Sequence, residues 1–191
     1  MIDLTSVCWD DPQPLLVHRQ ELSREASGKP IAVDLGPPIW RVELISKSIA
    51  SADADALYAD LLDGLKDTVL VRPRAFTYMH GDDRLQTNVT ISAITGERIS
   101  LTGLSGGAIV QKGTIFHILS GAKYRLYKAL DASDTPGGMR VKPDLRGASV
   151  NDAVGLTPPY LEVQILPGSL NIQRDIKGRK RVLFTGVEVP E

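Results

Sequence analysis

The sequence predicts a mainly β protein, an antiparallel β-sandwich or barrel with one packed α-helix. Three observations carry that prediction. Apolar and polar residues alternate in about ten short runs, the period of a half-buried strand. A helical period occurs once. Gly and Pro, at 17 and 12 of 191 residues, exceed the usual combined share of roughly 12% and punctuate the runs as tight turns between strands require.

The chain opens with two apolar runs, PLLVHRQEL from Pro14 and PIAVDLG from Pro30, separated by the turn-like SREASGK. This reads as a hairpin or arm over residues 1–36, followed by a β-rich domain over 37–191. Pro37 and Pro38 punctuate, and Ile39–Ile45 then alternates cleanly. The helix is expected at about 51–65. Ser51 is a suitable N-cap, and Asp53 and Asp55 fall in the first turn, where the helix dipole favours anions. Ala54, Leu57, Tyr58, Leu61, Leu62 and Leu65 make one apolar stripe, and Gly64 marks the end. From Thr68 onward the period is that of strands. Thr68–Val71 is stopped by Pro73. Thr87–Ala93 and Ile99–Leu101 flank the turn at Thr95–Glu97. Thr114–Leu119 and Tyr124–Leu130 flank Ser120–Gly121, a hairpin signal. Met139–Lys142 and Tyr160–Leu166 follow, and Leu170–Ile176 and Arg181–Val189 flank Lys177–Gly178.

Composition narrows the function classes. There are 22 basic and 23 acidic residues, so the basic excess of a general nucleic-acid binder is missing. A single cysteine, Cys8, allows neither an intrachain disulfide nor a cysteine-based zinc site. The start, MIDLTSVCWDDPQ, lacks the basic and apolar regions of a signal peptide. No window approaches the roughly 18 apolar residues of a membrane span. A reducing cytoplasm is the expected compartment, unless the protein leaves inside an assembled particle.

Candidate chemistry is sparse. His18, His80 and His117 lie far apart, without a second ligand at metal spacing. His117, inside TIFHIL, is expected on the polar face of a strand. Gly103, Ser105 and Gly107 match the spacing of a nucleophile elbow, but that motif joins a strand to a helix, and AIVQKGTIFHIL is strand-like. A glycine-rich turn is the expectation. His80–Asp83 lacks the alternating oxygen ligands of a calcium loop and reads as a solvated turn. Asp131, Asp134 and Asp144 read as turn residues. The run Lys177–Arg181 is expected as an exposed hairpin tip, with docking to an acidic neighbour or to DNA as the alternative. Cys8 and Trp9 are expected to pack or to lie in the arm, and Trp40 to anchor the core beside the helix. No catalytic, cofactor-binding or metal-binding residue is expected.

Two stretches are similar to a known family. Ser23–Leu65 carries SRE, DLGPPIWRVEL and the helix DADALYADLLDGLK. The region from Ser105 to Leu166 carries GGAIVQKGTIFHIL, YRLYKAL, ASDTPGGMRVKPDLRG and PPYLEVQIL. In this order they resemble the distal-tail or baseplate structural proteins of long-tailed, siphovirus-type bacteriophages. Leu126, Tyr127 and Lys128 correspond to the family's Leu-Tyr-Lys. Pro143, Leu145 and Arg146 correspond to its Pro-x-Leu-Arg. At Lys112–Gly113–Thr114 this chain has Thr where the family more often has Asp. The resemblance implies a non-enzymatic subunit of a homo-oligomeric ring, and a closed ring of six or three copies, a hexamer first, is the expectation. The ring would join the tail tube protein to hub or fibre proteins at the virion's tail tip, after assembly in the host cytoplasm. It implies no cofactor, no membrane and no specific nucleic-acid binding. The alternatives weighed are a monomeric carbohydrate-binding β-sandwich module and a small β-rich hydrolase.

Overall fold

The computed structural model describes residues 1–10, 12–24, 30–63, 65–73, 79–80, 88–156, 159–175 and 177–189. Its architecture is mainly β, with a sheet curled into a half-barrel, a closed six-stranded barrel and, among the described residues, one helix.

The half-barrel draws its strands from both ends of the chain. β1 (Ile2–Asp3) and β2 (Pro14–Val17) are its two edges. β3 (Gln20–Arg24) and β4 (Pro30–Asp34) pair with each other and, among the described residues, with no other strand. β5 (Ile39–Ile45) returns beside β2. It buries Trp40, Val42 and Leu44 and turns Arg41, Glu43 and Ile45 outward, the alternation that a pleated strand imposes. Val17 lies opposite Ile39 and Gln20 opposite Asp34. β2–β5 and β3–β4 are thus successive parts of one ribbon.

Helix α1 (Ser51–Asp63) packs on the inner face of this sheet. Ala54 and Leu61 are fully buried, with Leu57 and Tyr58 partly buried beside them. Two details depart from expectation. The Ser51 hydroxyl does not cap the helix but donates to the Gly178 carbonyl at 2.9 Å. The first helical bond instead runs from the Ala54 N–H to the Ala50 carbonyl. The helix also ends at Asp63, so Leu65 lies in the following turn, and Leu62 is 44% exposed. The curved sheet covers a stripe narrower than the one the apolar pattern offers.

β6 (Thr68–Val71) joins the sheet parallel to β1, and the chain then leaves it. β7 (Met79–His80) pairs with a later strand. β8 (Thr90–Thr95) and β9 (Arg98–Thr102) form a hairpin with a bulge between Ile91 and Ala93. The expected strand Thr87–Ala93 is therefore shifted toward the C-terminus, and Thr87 itself lies outside the described residues. β10 (Ile109–Val110) is the partner of β7. β11 (Ile115–Ser120), β12 (Lys123–Ala129), β13 (Met139–Lys142) and β14 (Ala153–Gly155) complete a barrel closed in the order β11-β12-β13-β9-β8-β14. β15 (Leu161–Ile165) then pairs antiparallel with β6. The barrel is thus an insertion between two hydrogen-bonded neighbours of the sheet. β16 (Asn171–Arg174) and β17 (Lys180–Glu188) finish the half-barrel, with β17 between β15 and β5.

Two hydrophobic cores result. One holds Trp40, Leu44, Leu61, Val163 and Phe184, and the other holds Ile91, Phe116, Tyr127, Met139 and Val141. They meet across β11 and β12. Leu126 and Ile115 pack with the sheet's core, while their neighbours Tyr127 and Phe116 fill the barrel. Successive residues of a strand point to opposite faces, so these two strands serve as a shared wall.

Candidate functional site

Among the described residues, local structure accounts for the surroundings of Ser105, His117, Asp131 and Asp144. Ser105 lies in an exposed turn that closes from the Ala108 N–H to its own carbonyl at 3.1 Å. Gly106 and Gly107 have φ of 64° and 68°, the left-handed pair of a type I′ turn. Gly103 is needed for a different reason. A Cβ there would stand 2.4 Å from the Asn88 carbonyl oxygen. Strand β10 follows, not a helix. The glycines that mimic an elbow are thus explained by backbone geometry.

His117 departs from expectation. It does lie on the face of β11 opposite Phe116 and Ile118, but that face is covered by the segment that returns to the sheet. The residue is only 7% exposed. Its Nδ1 accepts the Tyr160 backbone N–H at 3.0 Å, which places the proton of the neutral ring on Nε2. The ring lies against Gly155, where a Cβ would meet it at 1.9 Å. Tyr124 and Tyr160 each pack 5.2 Å from it, centroid to centroid. Desolvation lowers its pKa to about 4. A neutral ring with Nδ1 committed to a backbone amide is not a free general base.

His18 is exposed. The side chain of His80 and residues 81–87 lie outside the described residues. Asp131 is more than a turn residue. It accepts two bonds from Arg140, at 2.7 and 2.9 Å, with Arg98 at 3.5 Å. The Arg140 bonds hold its pKa down at about 2. Asp144 pairs with Lys142 at 2.5 Å. Among the described residues no group of three or more His, Cys, Asp or Glu converges on a metal-sized site. No helix there is long and apolar enough to cross a membrane.

The basic run divides in two. Lys177 and Arg179 are exposed at the hairpin tip. Lys180 instead pairs with Asp55 of the helix at 2.5 Å, and Arg181 with Asp10 at 3.2 Å. Part of this run therefore fastens the helix and the N-terminal segment to β17. Cys8 is exposed, and Trp9 is buried edge-on against Phe184 at 5.6 Å. The half-buried tyrosines Tyr124 and Tyr160 meet each other at 61°, 5.3 Å apart, and Arg72 lies 5.5 Å from the Tyr160 ring centre.

The polar chemistry gathers at the junction of sheet and barrel. The indole N–H of Trp40 donates to the Leu126 carbonyl at 2.7 Å. Its backbone N–H donates to Glu188 at 3.1 Å. Burial raises the pKa of Glu188, opposed by that bond and by Arg146 and Arg125. Arg146 donates from its backbone N–H to the Tyr127 hydroxyl at 3.2 Å and from its guanidinium to the Pro38 carbonyl at 2.6 Å. None of these pairings was foreseen. Glu188 alone had a legible signal, since Val182, Phe184, Gly186 and Glu188 share one parity of β17 and are all buried. Arg125 and Arg146 carried none.

Outside this framework is the β3–β4 hairpin, which continues the β2–β5 ribbon and, among the described residues, pairs only with itself. At its root, edge strand β2 exposes Leu15 at 60% and Val17 at 40%. A hairpin that pairs only with itself among the described residues, beside an apolar edge strand, is a ready surface for another chain. It is the candidate functional surface of the molecule. Neither a protein-family model nor a curated protein matches this sequence.

Proposed function

We propose that this chain is a structural subunit of a bacteriophage-type tail tip. It works as a closed homo-oligomeric ring of six or three copies that joins the tail tube to the adsorption apparatus. The observation that carries the assembly part is the β3–β4 arm, which pairs only with itself among the described residues. A two-stranded ribbon alone is marginal in water, and its free edges are satisfied by lying on a neighbour. An arm that leaves one side of a subunit and lands on a different surface of the next makes a head-to-tail contact, which closes into a ring when the rotation allows. The tail-tip part comes from the sequence resemblance. Near-neutral charge suits a hub whose lumen passes DNA without gripping it, and the exposed Lys177 and Arg179 then face outward or toward a protein neighbour.

The test is mass in solution and shape by negative-stain microscopy, for the full chain and for a variant with residues 20–34 replaced by a short Gly-Ser turn. The full chain is expected as rings and the variant as folded monomer. A full chain that stays monomeric at every concentration would sink the ring. Rings that persist without the arm would move the interface elsewhere.

A further inference from the structure

Arg146 does nothing in the ring reading, yet it is tied at two points. Its backbone N–H is held by the Tyr127 hydroxyl in the barrel wall, and its guanidinium by the Pro38 carbonyl at 2.6 Å. Pro38 sits where the arm's return strand enters β5. The Arg146 Nε is buried and, among the described residues, has no hydrogen-bond partner. The Arg146 charge favours the buried Glu188 carboxylate, but that alone does not require the bond to Pro38, and one nitrogen is left unsatisfied at a cost. Its placement makes sense if the position of what it grips matters.

What it grips is the root of the arm. The ribbon is closed there by the Leu35 N–H donating to the Arg19 carbonyl at 2.7 Å. Pro37 and Pro38 stiffen the return strand by fixing φ. The root of the arm is thus held by one backbone bond and two residues of fixed φ. A cleft of about 620 Å³ lies between root and barrel, with His18, Gly36 and Pro37 on the arm side and Lys142, Asp144 and Arg146 on the barrel side. Arg146 spans this gap to reach the Pro38 carbonyl.

We infer that Arg146 is a positioning residue that sets the direction of the β3–β4 arm, and that the inserted barrel is the bearing against which the arm is held. This rests on the reading above in that the arm is what engages the next copy. It gives the barrel a task within that reading: a ring closes only if every arm leaves its subunit at the same angle. A charge-assisted bond to a carbonyl on a residue anchored in a packed wall supplies that constraint.

The experiment uses the full chain with Cys8→Ser, Ser23→Cys and Asp134→Cys, spin-labelled at the two new cysteines. The labelled protein is diluted into unlabelled protein so that only distances within one chain are read. The arm-to-barrel distance distribution is expected to be narrow. In Arg146→Ala it is expected to broaden about twofold or more, with Arg146→Lys intermediate. If Arg146→Ala does not fold, Tyr127→Phe takes its place, because it keeps the ring and removes the anchor of the Arg146 backbone; broadening is again expected. An unchanged distribution in a folded Arg146→Ala or, failing that, in Tyr127→Phe overturns the inference. Mass measured on the same samples separates the two claims. A parent that never assembles fails the ring reading and leaves the distances to judge Arg146. A parent that assembles, beside an Arg146→Ala protein with a loosened arm and identical rings, overturns the role of arm direction.

Discussion

His117 shows how a residue takes its character from what covers it. The barrel strand turns it away from its own core, and the returning segment then buries it against Gly155 and Tyr160. A neutral imidazole there binds fewer protons than the same residue in the unfolded chain over the window from 6.5 down to about 4. Its contribution is complete above pH 6.5 and is lost as pH falls toward 4, about 3 kcal/mol in all. Glu188 acts in the opposite sense. Its raised pKa means that the folded state holds the proton more tightly, so stability rises as pH falls through the range just above 4.5. Urea denaturation of parent and His117→Asn at pH 7 and pH 5 separates them. The parent is expected to lose more stability between the two values than the variant, and equal losses would show that His117 is not held neutral.

At the scale of elements, the helix is the clearest case. Its apolar stripe is six residues in the sequence, but the sheet accepts Ala54 and Leu61 fully and Leu57 and Tyr58 in part. Adjacent leucines are thus predicted to differ sharply. Leu61→Asp places a carboxylate in a site of zero exposure and is expected to cost on the order of 3–5 kcal/mol. Leu62→Asp, on the exposed flank, is expected to stay within about 0.5 kcal/mol. Thermal melts of the two variants check this, and similar losses in both would place the helix differently on the sheet. The helix's N-terminus also answers to its neighbours, since Ser51 and Asp55 bind the β16–β17 hairpin.

At the scale of the molecule, the barrel leaves the sheet after β6 and returns at β15, which pairs with β6. Its two ends are held in one ladder, and β11 and β12 contribute to both cores. Opening the barrel would strip Ile115 and Leu126 from the sheet's core and the Leu126 carbonyl from Trp40. Sheet and barrel are therefore expected to unfold together. Calorimetry on the arm-deleted variant should give one transition whose calorimetric and van't Hoff enthalpies agree. Two resolved transitions would mean that the wall is not shared in the energetic sense.

Much of the strand and helix inventory was readable because alternation and helical stripes are local patterns. Ile39–Ile45 and Met139–Lys142 emerge with their expected bounds, and Thr68–Val71 likewise. The first 36 residues divide in a way the runs did not mark: Ile2–Asp3 and Pro14–Val17 join the sheet, and only β3 and β4 pair by themselves among the described residues. The glycines around Ser105 were correctly read as a turn, since no helix follows them. The division into a half-barrel and a closed barrel was not readable. Period 2 tells which residues share a face, not which strand lies beside which, and register is a long-range choice. For the same reason the face of β11 that carries His117 was foreseen as polar while its burial was not. The junction of Trp40, Leu126, Glu188 and Arg146 joins residues up to 148 positions apart. No local pattern encodes such a pairing, and only the packing of barrel against sheet decides it.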